Sequence, residues 1–480
     1  MISNADFSNS IPLIIVAASA LVIMILEIIF PKDHKKKSEK AIFYFSLAAL
    51  LAALIFSFEA VNKNTLAFNN FLRVTTLTVS LNIILIMGMF ITVLSSKEYL
   101  EQEGINYGEY YSLLFFSLLG MMIMVCSNDL ITVFIGLELM SVCFYVLAGF
   151  MRTRVESNES ALKYFLLGAF FTCFFLLGIA FIYGLTGATN YTVIMNMRLQ
   201  KSTFYMLGLV LVYIAFIFKT GSFPLQMWIP DVYQGAPTIV TGMMSSIGKA
   251  AAFGALITIF SAFEVTNVPM LIAMISILTM LYGNVVALMQ SNIKRLLAYS
   301  SIAHAGYIMI GFIVINTDAT HAVLFYLLAY LFMQLGSFII VSIVEEKTDV
   351  SADANTRNNI ERYKGLGRTN PLIASVLSIF LFSLAGIPPF AGFWGKYYIF
   401  LSAIENNYVW VAVIGILLSL IGVYYYIKII LFMWFYEPGL EASKMPKKNF
   451  AMAAAIISTA GVLVFGIYPE FVLKVIKSIS

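Results

Sequence analysis

A chain of 480 residues that is 61% hydrophobic and 11% charged, with a mean hydropathy of +0.91, lies far from the composition of a soluble domain and reads as a polytopic membrane protein. The net charge of +4 is small, so the placement of the charges carries more information than their sum, and no nucleic-acid partner is expected.

Fourteen apolar runs follow in chain order, at 11–30, 41–61, 76–95, 110–126, 129–150, 160–186, 203–231, 237–261, 268–290, 293–314, 320–344, 370–404, 408–435 and 449–469. Runs of this length cross lipid only as helices, because every backbone N–H and C=O must be bonded within its own segment. The expected fold is therefore all-α, a polytopic membrane protein with about 14 transmembrane helices. The first run has no basic stretch before it and no small-residue cleavage site after it, so it reads as a retained span and not as a signal peptide. Alternating the connections between two faces tests the count. One face, with residues 31–40, 345–369 and 437–448 among its loops, collects 18 of the 29 Lys and Arg, and the other collects 6. By the positive-inside rule the first face is cytoplasmic and both termini lie on the opposite side. The 345–369 connection mixes acids and bases and reads as a solvated linker.

No part outside the spans is large enough for a nucleotide or flavin domain, and neither a P-loop nor a GxGxxG after a strand is present. Cys126, Cys143 and Cys173 are widely spaced in apolar runs, which suits small core or lipid-facing residues and not a disulfide framework or a thiolate metal site.

Two long runs are interrupted by proline beside aromatic residues: FKTGSFPLQMW around Pro224 in the seventh, and LAGIPPFAGFWGK around Pro388 and Pro389 in the twelfth. They lie five spans apart, an odd number, so they run in opposite directions through the bilayer. That is the pattern of two inverted five-helix repeats, 110–261 and 262–436, with helices 1–3 in 1–109 and helix 14 in 437–480. Proline has no amide hydrogen and crowds the carbonyl four residues back, which leaves Thr220, Leu384 and Ala385 with freed or strained acceptors. In a bilayer such carbonyls must be buried in protein or wetted. Beside an intramembrane lysine they form a seam along which a proton can pass; the alternative is a kink that only fits helices together.

A lysine at the centre of a bilayer helix costs at least about 2.5 kcal/mol on the insertion scale, so Lys219, just before the first break, and Lys249, half-way along the eighth span, are expected to face a polar interior. Glu138, nine residues into the fifth span, would be held ionised by a nearby lysine, and pairing with Lys219 is the simplest arrangement; the alternative is an ion pair that only fixes helix packing. Either interface lies about 18 Å from Lys249, beyond its snorkelling reach. His304 is the only histidine deep in a span, with Ser300, Ser301 and Tyr307 within one turn as ring partners, and reads either as a relay between lysines or as a packing histidine. Lys396 stands two turns beyond the second break. Lys163, one turn into the sixth span, suits uptake-side relay and snorkelling equally, whereas Lys428 reads as snorkelling and Lys294 and Arg295 as anchors. Asp129 and Asp231, near span ends, either bind incoming protons or cap helices.

The four ordered motifs GLELMSVCFYVLAGF, KTGSFPLQMWIPDVYQGAPT, NIKRLLAYSSIAHAGY and LAGIPPFAGFWGKYYIF resemble the antiporter-like membrane subunits of respiratory complex I, NADH-quinone oxidoreductase, and within them the subunit N branch. The resemblance covers essentially the whole chain. It implies Glu138 and Lys219 as a coupled pair in the first half-channel, Lys249 as the central bridge, His304 as a connecting residue and Lys396 as the exit-side proton carrier. It also implies no cofactor in this chain, with NADH, FMN, iron-sulfur clusters and quinone held by partner subunits. The implied surroundings are sister antiporter-like subunits, a peripheral redox arm reached through the complex, and the lipid of a bacterial inner membrane, with both termini periplasmic. The same fold would serve a subunit of a multisubunit cation/proton antiporter, and co-purifying iron-sulfur and flavin subunits separate the two. Sodium transport would call for a cage of oxygen ligands, whereas the buried set is dominated by lysine, which favours protons.

Overall fold

A computed structural model describes residues 4–29, 35–61, 63–197, 202–263, 269–314, 316–345, 357–438 and 448–479. Its principal helices are α1 (Ile11–Ile29), α2 (Lys35–Glu59), α3 (Thr76–Glu103), α4 (Gly108–Cys126), α5 (Leu130–Ala148), α6 (Val155–Thr186), α7 (Thr203–Thr220), α8 (Trp228–Gly235), α9 (Thr238–Phe263), α10 (Pro269–Ala287), α11 (Ile293–Ile310), α12 (Thr317–Val344), α13 (Pro371–Ala385), α14 (Ala391–Glu405), α15 (Val409–Phe435), α16 (Asn449–Ile467) and α17 (Pro469–Ile479). Twelve helices among the described residues are long and apolar enough to cross a bilayer. The all-α membrane fold expected from the sequence is present. The remaining two of the fourteen runs are α11, whose first turn carries Lys294 and Arg295, and the twelfth run, which is divided into α13 and α14 of 15 residues each. Of the loops that carried the charge asymmetry, 30–34 with His34, 198–201 with Arg198 and Lys201, 346–356 and 439–447 lie outside the described residues.

Local chemistry sets the helix ends. Asp129 caps α5 by accepting from the amides of Ile131 (2.9 Å) and Thr132 (3.2 Å), and Asn292 caps α11 by accepting from Lys294 (3.0 Å) and Arg295 (3.2 Å). At the centre stand α9 and α12, almost wholly covered by protein, while in α1, α6, α15 and α16 most residues are left uncovered by the rest of the chain. Lipid is as apolar as leucine, so helices associate here through close backbone approach. Gly120 of α4 and Gly136 of α5 make such a crossing: a Cβ on Gly120 would lie 2.5 Å from the Met140 amide nitrogen, and one on Gly136 would lie 2.6 Å from that of Met124. Neither neighbour is a side chain that can turn away. Gly120→Val is therefore expected to cost about 1–3 kcal/mol by overpacking, read as less assembled protein in the membrane and a lower melting temperature in detergent.

The connection after α12 departs from the expected solvated linker. Its described part, residues 357–369, folds back onto the bundle, with Asn358, Ile360 and Tyr363 all buried. Its backbone is tied down: Ile293 N donates to Asn358 O (2.8 Å), Ile360 N to Ser291 O (2.8 Å) and Gly365 N to Phe432 O (3.0 Å). Polar side chains mask the apolar residues that anchor it, which is why the composition reads as loop. At the opposite end a short antiparallel hairpin, β1 (Thr65–Ala67) and β2 (Leu72–Val74), pairs Thr65 with Val74.

Candidate functional site

The first break begins where α7 stops at Thr220. Gly221 takes the left-handed conformation at φ 73°, and the chain restarts as α8 at Trp228. Lys219, in the last turn of α7, is buried and its Nζ donates to Ser141 Oγ at 2.7 Å and to Tyr145 OH at 3.5 Å. Ser141 spends its own proton on Leu137 O, which leaves its lone pair for the ammonium. The rings of Tyr145, Tyr164 and Phe218 surround that ammonium at 5.6–5.7 Å, and Trp228 stacks on Tyr164 at 4.5 Å. The direct Glu138–Lys219 pair expected from the sequence is absent. Glu138 instead accepts from Thr172 Oγ1 of α6 at 2.7 Å, and Lys219 engages Ser141, almost one turn further along α5.

Lys249 follows a π-helical turn, Met244–Gly248, inside α9. Its side chain is 1% exposed, and its Nζ donates to Ser301 O (2.6 Å) and Ser301 Oγ (3.0 Å) of α11. The expectation that it cannot snorkel is met. Its head also lies against the first break, since a Cβ on Gly221 would stand 3.8 Å from it. Thus one buried ammonium touches both the break and the helix that carries His304.

His304 is buried, but its partners come from other helices and not from its own turn: Nδ1 bonds Tyr326 OH of α12 at 2.7 Å and Nε2 lies 3.4 Å from Tyr426 OH of α15. Ser300 bonds the same Tyr426 hydroxyl, while Ser301 is taken by Lys249 and Tyr307 OH accepts from Asn284 Nδ2 at 3.0 Å. Side chains one turn along α11 point to different neighbours, so sequence proximity did not give the ring partners. At the second break, Gly386 is left-handed at φ 82° and α14 starts at Ala391. Lys396 reaches back to donate to Leu384 O (3.2 Å) and Ala385 O (2.9 Å), the two carbonyls that the proline sterics pick out. Its Nζ stands 4.9 Å from the centre of the Tyr307 ring, which packs edge-on against His304.

Lys163 is half-exposed and pairs with Glu159 (2.6 Å) and Asp231 (2.8 Å), and Asp231 also holds Arg295 (2.8 Å). Asp231, left open between proton binding and capping, bridges α6 and α11 through two cations, whereas Asp129 is a cap. The sequence reasoning missed Glu345. It follows α12 and is buried, accepting from Thr238 Oγ1 (2.5 Å) and Asn358 Nδ2 (3.0 Å). Lys294 Nζ donates to Ala236 O (2.6 Å) and Lys448 Nζ to Ser342 O (2.6 Å) close by, and Arg154 pairs with Glu103 at 2.5 Å. Burial alone would raise the Glu345 carboxyl, but the Lys294 charge and the Thr238 and Asn358 hydrogen bonds outweigh it and hold the carboxyl below the ordinary glutamate range. Burial pushes Lys448 down to about 8, against the pull of Glu345 and Glu103. Among the described residues no group of three or more His, Cys, Asp and Glu could hold a metal ion.

The family model described as NADH:quinone oxidoreductase/Mrp antiporter, transmembrane, matches residues 127–422, the stretch that holds both breaks and Lys219, Lys249, Lys294 and Lys396. The chain belongs to that family. NADH-quinone oxidoreductase subunit N of Trichlorobacter lovleyi is 38% identical over 471 residues, covering 96% of this chain and 94% of that protein. Subunit N 1 of Solibacter usitatus is 40% identical over 476 residues, covering 98% of this chain and 96% of that one. Among solved structures of the family, a chain of respiratory complex I from Thermus thermophilus superposes with a TM-score of 0.82 at 31% identity, covering 96% of this chain and 98% of that chain. A chain of the Mrp complex from Dietzia superposes with a TM-score of 0.84 at 18% identity, which shows the shared fold alone.

Proposed function

We propose that this chain carries protons through the membrane as an antiporter-like subunit of NADH-quinone oxidoreductase, in the position subunit N holds in its relatives. The observation that carries this reading is that each break meets a buried ammonium bound only to neutral oxygens: Lys249 at the first, on Ser301, and Lys396 at the second, on Leu384 and Ala385. An ammonium so placed has lost its water shell and gained no counter-ion, the condition under which a lysine exchanges its proton. Glu138 and Lys219 form the first station, Lys249 bridges to Ser301, Tyr426 and His304 connect onward, and Lys396 receives the proton at the second break. Lys163, with Asp231, sits where protons enter.

Residues 110–261 and 262–436 act as inverted repeats, with 1–109 and 437–480 added around them, and the Glu345 end faces the cytoplasm of a bacterium. NADH, FMN, iron-sulfur clusters and quinone belong to partner subunits, and sister antiporter-like subunits adjoin this one. Quinone chemistry there biases the charge state of the row, a coupling free energy between distant sites. The antiporter alternative is disfavoured by full-length identity of 38–40% to chains named subunit N against 18% to the Mrp chain.

Lys219→Ala in the intact complex tests the reading. NADH-driven proton uptake in vesicles is expected to fall about tenfold, equivalent to about 1.4 kcal/mol, with the complex assembled. Full pumping by the assembled variant rejects the relay.

A further inference from the structure

At the end of the bundle opposite Glu345, a cavity of about 260 Å³ opens between the start of α12, the second half of α14 and α17, lined by Asp318, His321, Tyr398, Ser402, Glu405 and Lys477 among others. Its exposure is graded. At the mouth the Asp318 and Lys477 side chains are 70% and 49% exposed and pair at 3.3 Å, whereas the His321 side chain, at the floor, is 8% exposed. His321 Nδ1 is buried with no hydrogen-bond partner and lies 4.0 Å from Asp318 Oδ1, too far for a hydrogen bond. A buried polar nitrogen facing a polar cavity is a place where water binds.

The inner side of this cavity continues the row of ionisable groups. Tyr326, which bonds His304 Nδ1, lies five residues further along α12, about 7.5 Å of helical rise from His321. On α14, a Cβ at Gly395, next to Lys396, would touch the Tyr326 ring at 3.0 Å, and Tyr398 packs on Phe325 at 5.1 Å. The α12–α14 seam is therefore packed at Gly395–Tyr326 and at Phe325–Tyr398, between Lys396 and the cavity, and a proton crossing from there to His321 would need bridging water.

We infer that His321 is the proton-release group: its neutral ring takes a proton arriving along this seam from the Lys396–His304 end, becoming imidazolium, and gives it to water in the cavity. This rests on the proton-carrying role proposed above. Imidazole suits the step because it gains and loses a proton near neutral pH. The charges facing it are Asp318 on its own helix, which favours the imidazolium, and Lys477 of α17, which opposes it; Glu405 and Tyr398 come from α14, and Glu470 of α17 faces Tyr398.

The test uses the whole complex in vesicles, with Lys396→Met in parallel and NADH oxidation by a soluble artificial acceptor as the measure of assembled complex. His321→Gln is expected to lower protons moved per NADH at least about threefold and to flatten their dependence on release-side pH between about 5 and 8, the range of histidine titration. A residue that only packs would lower the amount of complex and leave that profile unmoved. In a second variant, Leu401→Cys on the cavity wall is treated from the release side with a membrane-impermeant maleimide, the unsubstituted chain serving as control for Cys126, Cys143 and Cys173. Labelling is expected to stop pumping to the same degree. Undiminished pumping by His321→Gln, undiminished pumping after full labelling, or no labelling from that side each overturns the assignment. If Lys396→Met also pumps normally, the proton row itself fails; if only Lys396→Met is impaired, the row stands and His321 is not its outlet.

Discussion

Lys249→Met is expected to cut NADH-driven proton translocation by at least about a hundredfold, a barrier increase of about 2.7 kcal/mol, with the complex still assembled. Methionine matches lysine in length and flexibility, so the packing of α9 against α11 survives. What disappears is the one ammonium that touches both Gly221 at the first break and Ser301 on the helix of His304. Lys219 lies upstream of that junction, so its loss leaves Lys249 to be reached by other routes and has the smaller effect. Lys249→Arg separates charge from proton exchange: the guanidinium keeps the positive charge and does not release its proton. It is expected to pump as poorly as the methionine variant. Acidification of inverted vesicles per NADH oxidised is the measurement, and normal pumping by Lys249→Arg would reduce Lys249 to a fixed charge.

The positions of these groups were legible because a charge inside an apolar run is conspicuous and costly. Lys219, Lys249, His304 and Lys396 could be picked from the sequence for that reason, and the strained carbonyls of Leu384 and Ala385 followed from the ring of proline alone. Their partners were not legible. Whether Lys219 meets Glu138 or Ser141 depends on a shift of less than one turn along α5, since both lie on the same face, and His304 finds Tyr326 and Tyr426, which are 22 and 122 residues away in the chain. The π-turn before Lys249 leaves no mark in the hydrophobic pattern. Glu345 was invisible for another reason. An acid at the end of an apolar helix, followed by a hydrophilic stretch, looks solvated, and the fold-back of residues 357–369 covers it together with Thr238.

That cover makes Glu345→Gln the substitution with the largest expected effect on stability. The amide can still bond Thr238 and Asn358, so the hydrogen bonds are largely kept. The charge is lost, and Lys294 and Lys448 remain buried on the carbonyls of Ala236 and Ser342 with less negative charge nearby. Removing one partner from a buried ionic cluster costs about 3–5 kcal/mol, read as a lower melting temperature of the detergent-solubilised protein. The pH dependence fixes the cause. The Glu345 carboxyl is held below its ordinary range in the fold, so its contribution is complete above the ordinary glutamate value of about 4.3 and is lost as pH falls through the lower folded value. Lys448 has the opposite consequence. Burial brings it down to about 8, so the unfolded chain binds more protons between there and the ordinary lysine value of about 10.4, and stability rises across that window. Without Glu345 to favour its charged form, Lys448 lets go of its proton at still lower pH, and the rise is expected to start below 8 in the variant. A melting temperature at pH 7 equal to that of the unsubstituted protein, with the same alkaline profile, would show that Glu345 does not compensate these cations.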